Sequence, residues 1–186
     1  MENKLKIRKT KTVDEIDILN IISSSFSGDE EVNAIKGLVK NLLNDSTAQP
    51  SLSLLAFEGD KPAGYILFSK TSLEKNKDKI STAILCPLAV ISESQNKGVG
   101  GELITTGLKT LEESGVNIVF VLGYPEYYTR YGFSPAGSQG MEAPFPIPEK
   151  NSDAWMLKTL GGYVIEGYAD KVNCPDALNK SEYWVE

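Results

Sequence analysis

Two stretches of this chain have residue types and spacings suited to chemistry. The first is Gln95-Asn96-Lys97-Gly98-Val99-Gly100-Gly101, between an apolar run and a helical pattern. Glycines let a backbone come close to a ligand. The free N–H groups of a first helical turn, with the helix dipole, favour an anion, and Lys97 adds a positive charge. Two familiar phosphate loops fail on spacing. G-x-G-x-x-G would need glycine where Leu103 stands, and in G-x-x-x-x-G-K-[ST] the Gly59 to Gly64 spacing is followed by Tyr65. On the glycines alone, a tight ligand-free connection fits as well as a binding loop. The second stretch, Tyr124 to Tyr131, holds four tyrosines, Pro125 and Arg130. A phenol, with an ordinary pKa of about 10, can act as a general acid. It can equally pack half-buried.

Composition removes other chemistries. The chain has no histidine. That excludes Ser-His-Asp and Cys-His nucleophiles and every histidine-containing metal site. Cys86 and Cys174 are far apart, so no C-x-x-C motif exists and no metal is expected. A net charge of −6, from 19 basic and 25 acidic residues, argues against nucleic acid as a partner. The longest uncharged stretch, Ile80 to Ser92, is shorter than the ~18 residues of a membrane span, and Pro87 interrupts it. The N-terminus carries Lys4, Lys6, Arg8, Lys9 and Lys11 without an apolar segment after them, so it does not read as a secretory signal. No membrane association and a cytoplasmic location with reduced thiols are expected.

The positioning elements follow from periodicity. The 186 residues fit one domain with a large core. Leu5 and Ile7 alternate with basic residues as a short strand. Thr12-x-x-Glu15 and Ser27-x-x-Glu30 read as capping boxes opening two helices. Ile18, Ile22 and Phe26 mark the first helix, and Val32, Ile35, Val39 and Leu42 the second. Leu52 to Ala56 and Tyr65 to Phe68 form a hairpin around Glu58-Gly59-Asp60-Lys61-Pro62. Glu74 to Lys79 reads as a solvated charged loop. Ile80 to Ile91 is a long strand in which Pro87, unable to donate a hydrogen bond, predicts a bulge. The glycine turn opens a helix through Leu111 that Gly115 ends, and Val116 to Leu122 reads as a buried parallel strand. Trp155 to Leu157 and Tyr163 to Ile165 are expected to pair. The division is a core of residues 1–139 and a C-terminal extension of residues 140–186 within the same domain.

The segment Pro87-Leu88-Ala89-Val90-Ile91-Ser92-Glu93-Ser94-Gln95-Asn96-Lys97-Gly98-Val99-Gly100 resembles the acetyl-CoA signature of the GNAT superfamily of N-acetyltransferases. There a strand ending in LAV precedes Q/R-x-x-G-x-G/A at the start of a long helix. Tyr127-Tyr128-Thr129-Arg130-Tyr131-Gly132-Phe133 resembles the family's Y-x-x-x-G-F segment, and Leu122 to Tyr128 looks most like the YhbS-like branch. The order of elements over residues 4–136 is the family's own.

The resemblance implies an α/β (α+β) acyl-CoA N-acyltransferase fold. Its central sheet is mixed and mostly antiparallel, flanked by helices, with a splayed parallel strand pair around the cofactor. It implies transfer of an acetyl group from acetyl-CoA to a small-molecule or peptide amine by direct attack. The alternative is a non-catalytic acyl-CoA sensor or interaction domain of the same fold. By resemblance, Leu88, Ala89 and Val90 pair with the pantetheine arm. Gln95, Asn96, Lys97, Gly98, Val99, Gly100 and Gly101 form the pyrophosphate turn, Arg130 faces the phosphates, and Tyr128 is the general acid. The family's central-strand glutamate has no counterpart between Ile80 and Ser92, so the general base is open, with Glu58, Glu126 and Glu142 as substitutes. The extension is expected to shape the acceptor side, and a homodimer is one open arrangement.

Overall fold

The computed structural model of the chain describes residues 5–76, 78–167 and 169–185. Lys4 of the basic N-terminal run and Lys77 of the charged loop lie outside the described residues. In chain order the elements begin β1 (Leu5–Lys9), α1 (Glu15–Ser25), α2 (Asp29–Asn44), β2 (Leu52–Glu58), β3 (Lys61–Leu73) and β4 (Thr82–Val90). They continue with α3 (Val99–Glu113), β5 (Ile118–Leu122), α4 (Pro125–Tyr128), β6 (Ser134–Pro135), β7 (Met141–Glu142), β8 (Trp155–Thr159) and β9 (Asp170–Asn173). The main sheet runs β1-β2-β3-β4-β5-β8-β6 and is antiparallel except for the β4–β5 pair. Strand β9 joins the far end of β3 and pairs with β7. The expected mixed, mostly antiparallel sheet is therefore present.

Two helical layers cover the sheet. A Cβ on Gly64 would lie 2.9 Å from the side chains of both Val99 and Leu103, so α3 packs directly on β3. Cross-strand partners share a face. Gly64, Ile66 and Phe68, with their partners Val90, Leu88 and Leu85, accordingly form the α3 face. Tyr65, Leu67 and Ser69 turn to the other face, which α1 covers. Val99, Leu103, Ile104, Leu108 and Leu111 are buried on α3, each contributing roughly 1.5–3 kcal/mol of apolar burial.

The C-terminal segment belongs to the face opposite α3. Ile84 pairs with both Ser69 and Phe120, which puts Phe120 on that face. Phe120 stacks on Trp155 at 5.1 Å, and Trp155 meets Trp184 edge-on at 5.6 Å. The chain end is tied to the end of α2: the Ala177 amide donates to the Asp45 carboxylate and the Asp176 amide to the Thr47 hydroxyl, both at 2.9 Å.

Three local expectations are corrected. The Thr12 box does not form; a 3-10 turn at Thr12–Asp14 precedes α1, and the Asp14 carboxylate accepts from the Lys11 amide at 2.6 Å. Asp14 is also held by Arg8 through two hydrogen bonds, and that pair decides where the helix opens. The Ser27 box is replaced by Gly28, whose φ of 92° makes it the N-cap of α2 without a side-chain bond. Tyr163 to Ile165 is not a strand. The partners of Trp155–Thr159 are β5 and β6, and the last strand lies instead at Asp170–Asn173.

Candidate active site

The parallel strands β4 and β5 part company along their length. Their pairing runs only from Thr82–Ile118 to Ile84–Phe120. Beyond it, β4 stays with β3 as far as Val90, and β5 stays with β8 as far as Leu122. Among the described residues, Leu85 to Val90 have no strand partner on the β5 side. This is a strand edge inside the protein that an extended partner can meet, with the Val90 carbonyl accepting from the Gln95 side chain. The expected bulge lies here. Leu67 opposes both Cys86 and Pro87, because Ile66 pairs with Leu88 and Phe68 with Leu85. Pro87 has no N–H for the ladder, and the extra residue absorbs the mismatch.

The free edge runs into the glycine turn. Gly98 has a left-handed φ of 86° and caps α3, with Asn96 also left-handed at 59°. The first amide used by the helix is that of Glu102, which donates to Gly98 at 3.0 Å. Among the described residues the amides of Asn96 to Gly101 have no bonded acceptor. Gln95 points the other way, its side-chain amide donating to the Val90 carbonyl at 3.0 Å. Further bonds brace the turn. Ser92 donates twice to Ser24 at the end of α1, from its amide to the hydroxyl and from its hydroxyl to the carbonyl, and the Ser94 hydroxyl donates to Glu58 at 3.0 Å. Glu58 is thus committed to the turn. Lys97 is exposed beside it.

Tyrosines of α4 and the turn after it close the other wall. Tyr128 is buried, edge-on to Phe133 at 5.7 Å and to Tyr127 at 5.1 Å. Its ring covers Gly123 at the end of β5, where a Cβ would stand 2.5 Å from Cε2. The hydroxyls of Tyr127 and Tyr131 lie over Gly100 and Gly101, each 2.5 Å from where a Cβ would be. Burial and the hydrogen bond with Tyr131 push the Tyr127 phenol well above its ordinary range, and nearby Arg130 only partly offsets this. Both effects disfavour the phenolate. Arg130 stacks over the Tyr127 ring at 4.7 Å and donates to the Tyr127 carbonyl at 3.4 Å. The contact of Tyr127 and Tyr131 with the glycines was not anticipated; its sequence signal is the i, i+4 tyrosine pair facing two adjacent glycines.

On the far face of β3, Tyr65 is fully buried and accepts a hydrogen bond from Ser53 at 3.0 Å; burial pushes its pKa up to about 12. Neither Cys86 nor Cys174 is in a disulfide, and burial pushes the Cys174 thiol up to about 11. Trp155 is a core residue whose indole N–H donates to the Met141 carbonyl at 2.9 Å. No group of three or more cysteines, aspartates and glutamates among the described residues could hold a metal, and no described helix is long and apolar enough to cross a membrane.

A splayed parallel pair, a free strand edge and a glycine-capped helix with unbonded amides define an acyltransferase architecture. Residues 6–136 match the acetyltransferase (GNAT) domain. The uncharacterized N-acetyltransferase YjhQ of Escherichia coli is 43% identical over 152 residues, covering 81% of this chain and 82% of YjhQ. The crystal structure of the E. coli GNAT family N-acetyltransferase YhbS in complex with CoA superposes with a TM-score of 0.82 at 25% identity, covering 95% of this chain and 93% of that one. A Brucella melitensis GNAT acetyltransferase solved with acetyl-CoA has the same fold, with a TM-score of 0.67 at 23% identity, covering 95% of this chain and 99% of that one. The chain belongs to the GNAT family of acetyltransferases.

Proposed function

We propose that this acetyltransferase moves the acetyl group of acetyl-CoA to a primary amine by direct attack, without an acyl-enzyme. The observation that carries the reading is the continuity of the free β4 edge with the turn of unbonded amides. In this reading the backbone of Leu88, Ala89 and Val90 pairs with the pantetheine arm. The amides of Lys97, Gly98, Val99, Gly100 and Gly101 bind the pyrophosphate at the positive end of α3. Gln95 and Asn96 shape the turn from which those amides point. Arg130 and Lys97 supply positive charge near the phosphates.

Tyr128 is the general acid. Its ring is fixed by Gly123, Tyr127 and Phe133 at the mouth of the splay. A neutral phenol can give its proton to a departing thiolate, whose conjugate acid has an ordinary pKa of about 8.5. Strand β4 carries no carboxylate, so the proton of the incoming ammonium leaves to water. The acceptor approaches from the face opposite α3, between α1 and the C-terminal segment of residues 140–186, away from the pyrophosphate turn. Two cysteines outside any disulfide and the absence of a long apolar helix among the described residues support a cytoplasmic setting.

The test is thiol release from acetyl-CoA across a panel of polyamines, amino acids, aminoglycosides and peptides. At least one acceptor should turn over in proportion to enzyme, with acetylated product seen by mass spectrometry. Acetyl-CoA hydrolysis with no acetylated amine in any arm would overturn the reading.

A further inference from the structure

At the end of the sheet remote from the glycine turn lies a cavity of about 610 Å³, within the size range of small-molecule sites. It is lined by Lys9 from β1, Lys70 and Thr71 from β3, Thr82 from β4, Lys79 from the loop before β4, and Asn117 just before β5. On β3 its nearest lining residue, Phe68, is four positions from Gly64, roughly 13 Å at the rise of an extended strand. It is independent of the acetyl-transfer reading.

Three of the polar side chains around this cavity are lysines. The salt bridges among the described residues are Arg8–Asp14 and Lys40–Glu15, so Lys9, Lys70 and Lys79 have no carboxylate partner there. Asp78 is the one acidic residue in the lining. Thr71 and Thr82 are buried, and their hydroxyls bond each other at 2.7 Å on the sheet face opposite α3. The Asn117 carbonyl oxygen accepts from the Ser81 amide at 2.9 Å, which leaves its NH₂ group with no acceptor among the described residues. Three lysines without an acidic partner among the described residues thus line one space, with the Asn117 amide beside them, in a protein of net charge −6. Like charges held together repel, and a multiply charged acceptor relieves them through charge-assisted hydrogen bonds.

We propose that this cavity binds a small polyanion carrying two or more carboxylate or phosphate groups. The ligand's oxygens meet Lys9, Lys70 and Lys79, with the Asn117 NH₂ group as a further donor. Isothermal titration with citrate and with fructose 1,6-bisphosphate separates the carboxylate and phosphate sources, with fructose as the neutral control. At least one anion should bind, fructose should not, and saturating CoA should leave binding unchanged. The triple variant Lys9→Gln/Lys70→Gln/Lys79→Gln should weaken the anion at least tenfold while CoA affinity stays the same. Asn117→Asp keeps the shape and the acceptor for Ser81 while reversing one donor. It should weaken the anion in the same way, and it serves as the test if the triple variant does not fold. Failure of both anions to bind at millimolar concentration, displacement by CoA, or unchanged affinity in a folded variant would each overturn the proposal.

Discussion

The Tyr127 hydroxyl sits over Gly100, 2.5 Å from where a Cβ would be. Gly100 therefore answers to a tyrosine as well as to a ligand, and the two demands can be separated. Gly100→Ala should lower the melting temperature in the otherwise native protein and lower it clearly less in a Tyr127→Phe background, where the colliding oxygen is gone. A double-mutant cycle by calorimetry should give a coupling of about 0.5–3 kcal/mol. Additive effects would mean that the hydroxyl is not the obstacle.

Gly100→Val adds bulk where the proposed pyrophosphate approaches. CoA affinity should fall at least tenfold, about 1.4 kcal/mol, by isothermal titration. The Gly100→Val/Tyr127→Phe double variant removes the tyrosine collision and should still bind CoA poorly. Recovery of full affinity there would assign the loss to the tyrosine alone.

Tyr128→Phe keeps the ring against Gly123 and Phe133 and deletes its proton. Turnover should fall on the order of 10²- to 10⁴-fold with acetyl-CoA affinity nearly unchanged, since the hydroxyl acts mainly in the transition state. Tyr127→Phe is the comparison. If it is the damaging change and Tyr128→Phe is silent, the acid is one residue earlier, on the tyrosine whose hydroxyl lies over the glycine turn.

Asp14 links pH to stability. The Arg8 hydrogen bonds, outweighing the effect of burial, hold its carboxyl at about 2 against an ordinary 3.8. A depressed folded pKa stabilises above the unfolded value and loses that contribution as pH falls through the folded one. Chemical denaturation should therefore show stability falling between about pH 4 and pH 2, and Asp14→Ala should flatten that limb. At neutral pH the substitution should cost about 1 kcal/mol, the loss of hydrogen bonds to a charged group discounted for the partly exposed Arg8. An unchanged acid limb would deny the linkage.

How much of this was legible in the sequence depended on how local each cause was. Pro87 marked the bulge because a missing N–H is a property of one residue. Gly98 and the apolar spacing of Leu103, Leu108 and Leu111 marked α3 for the same reason. Strand β9 was not legible. Asp-Lys-Val-Asn has little strand character, and Asp170 is fixed by the Lys75 amide at 3.0 Å and the Asn76 side chain at 2.8 Å, from residues about ninety positions earlier. The opening of α1 was misread because Arg8, in the preceding strand, holds Asp14, whose carboxylate closes a 3-10 turn on the Lys11 amide ahead of the helix. The tyrosine–glycine contacts were hidden because they join α3 to a segment more than twenty residues on.

Everything proposed for catalysis depends on CoA lying in the splay between β4 and β5 with its pyrophosphate on the α3 turn. A crystal structure of the CoA complex tests that placement most directly. Pyrophosphate oxygens should lie about 3 Å from the amides of Lys97 to Gly101, with pantetheine paired along the edge of Leu88 and Val90. The Tyr128 hydroxyl should stand within about 3.5 Å of the sulfur, the reach of a positioned acid. CoA bound outside the splay, or a sulfur that meets Tyr127 while Tyr128 stays packed away from it, would contradict the placement and the role given to Tyr128.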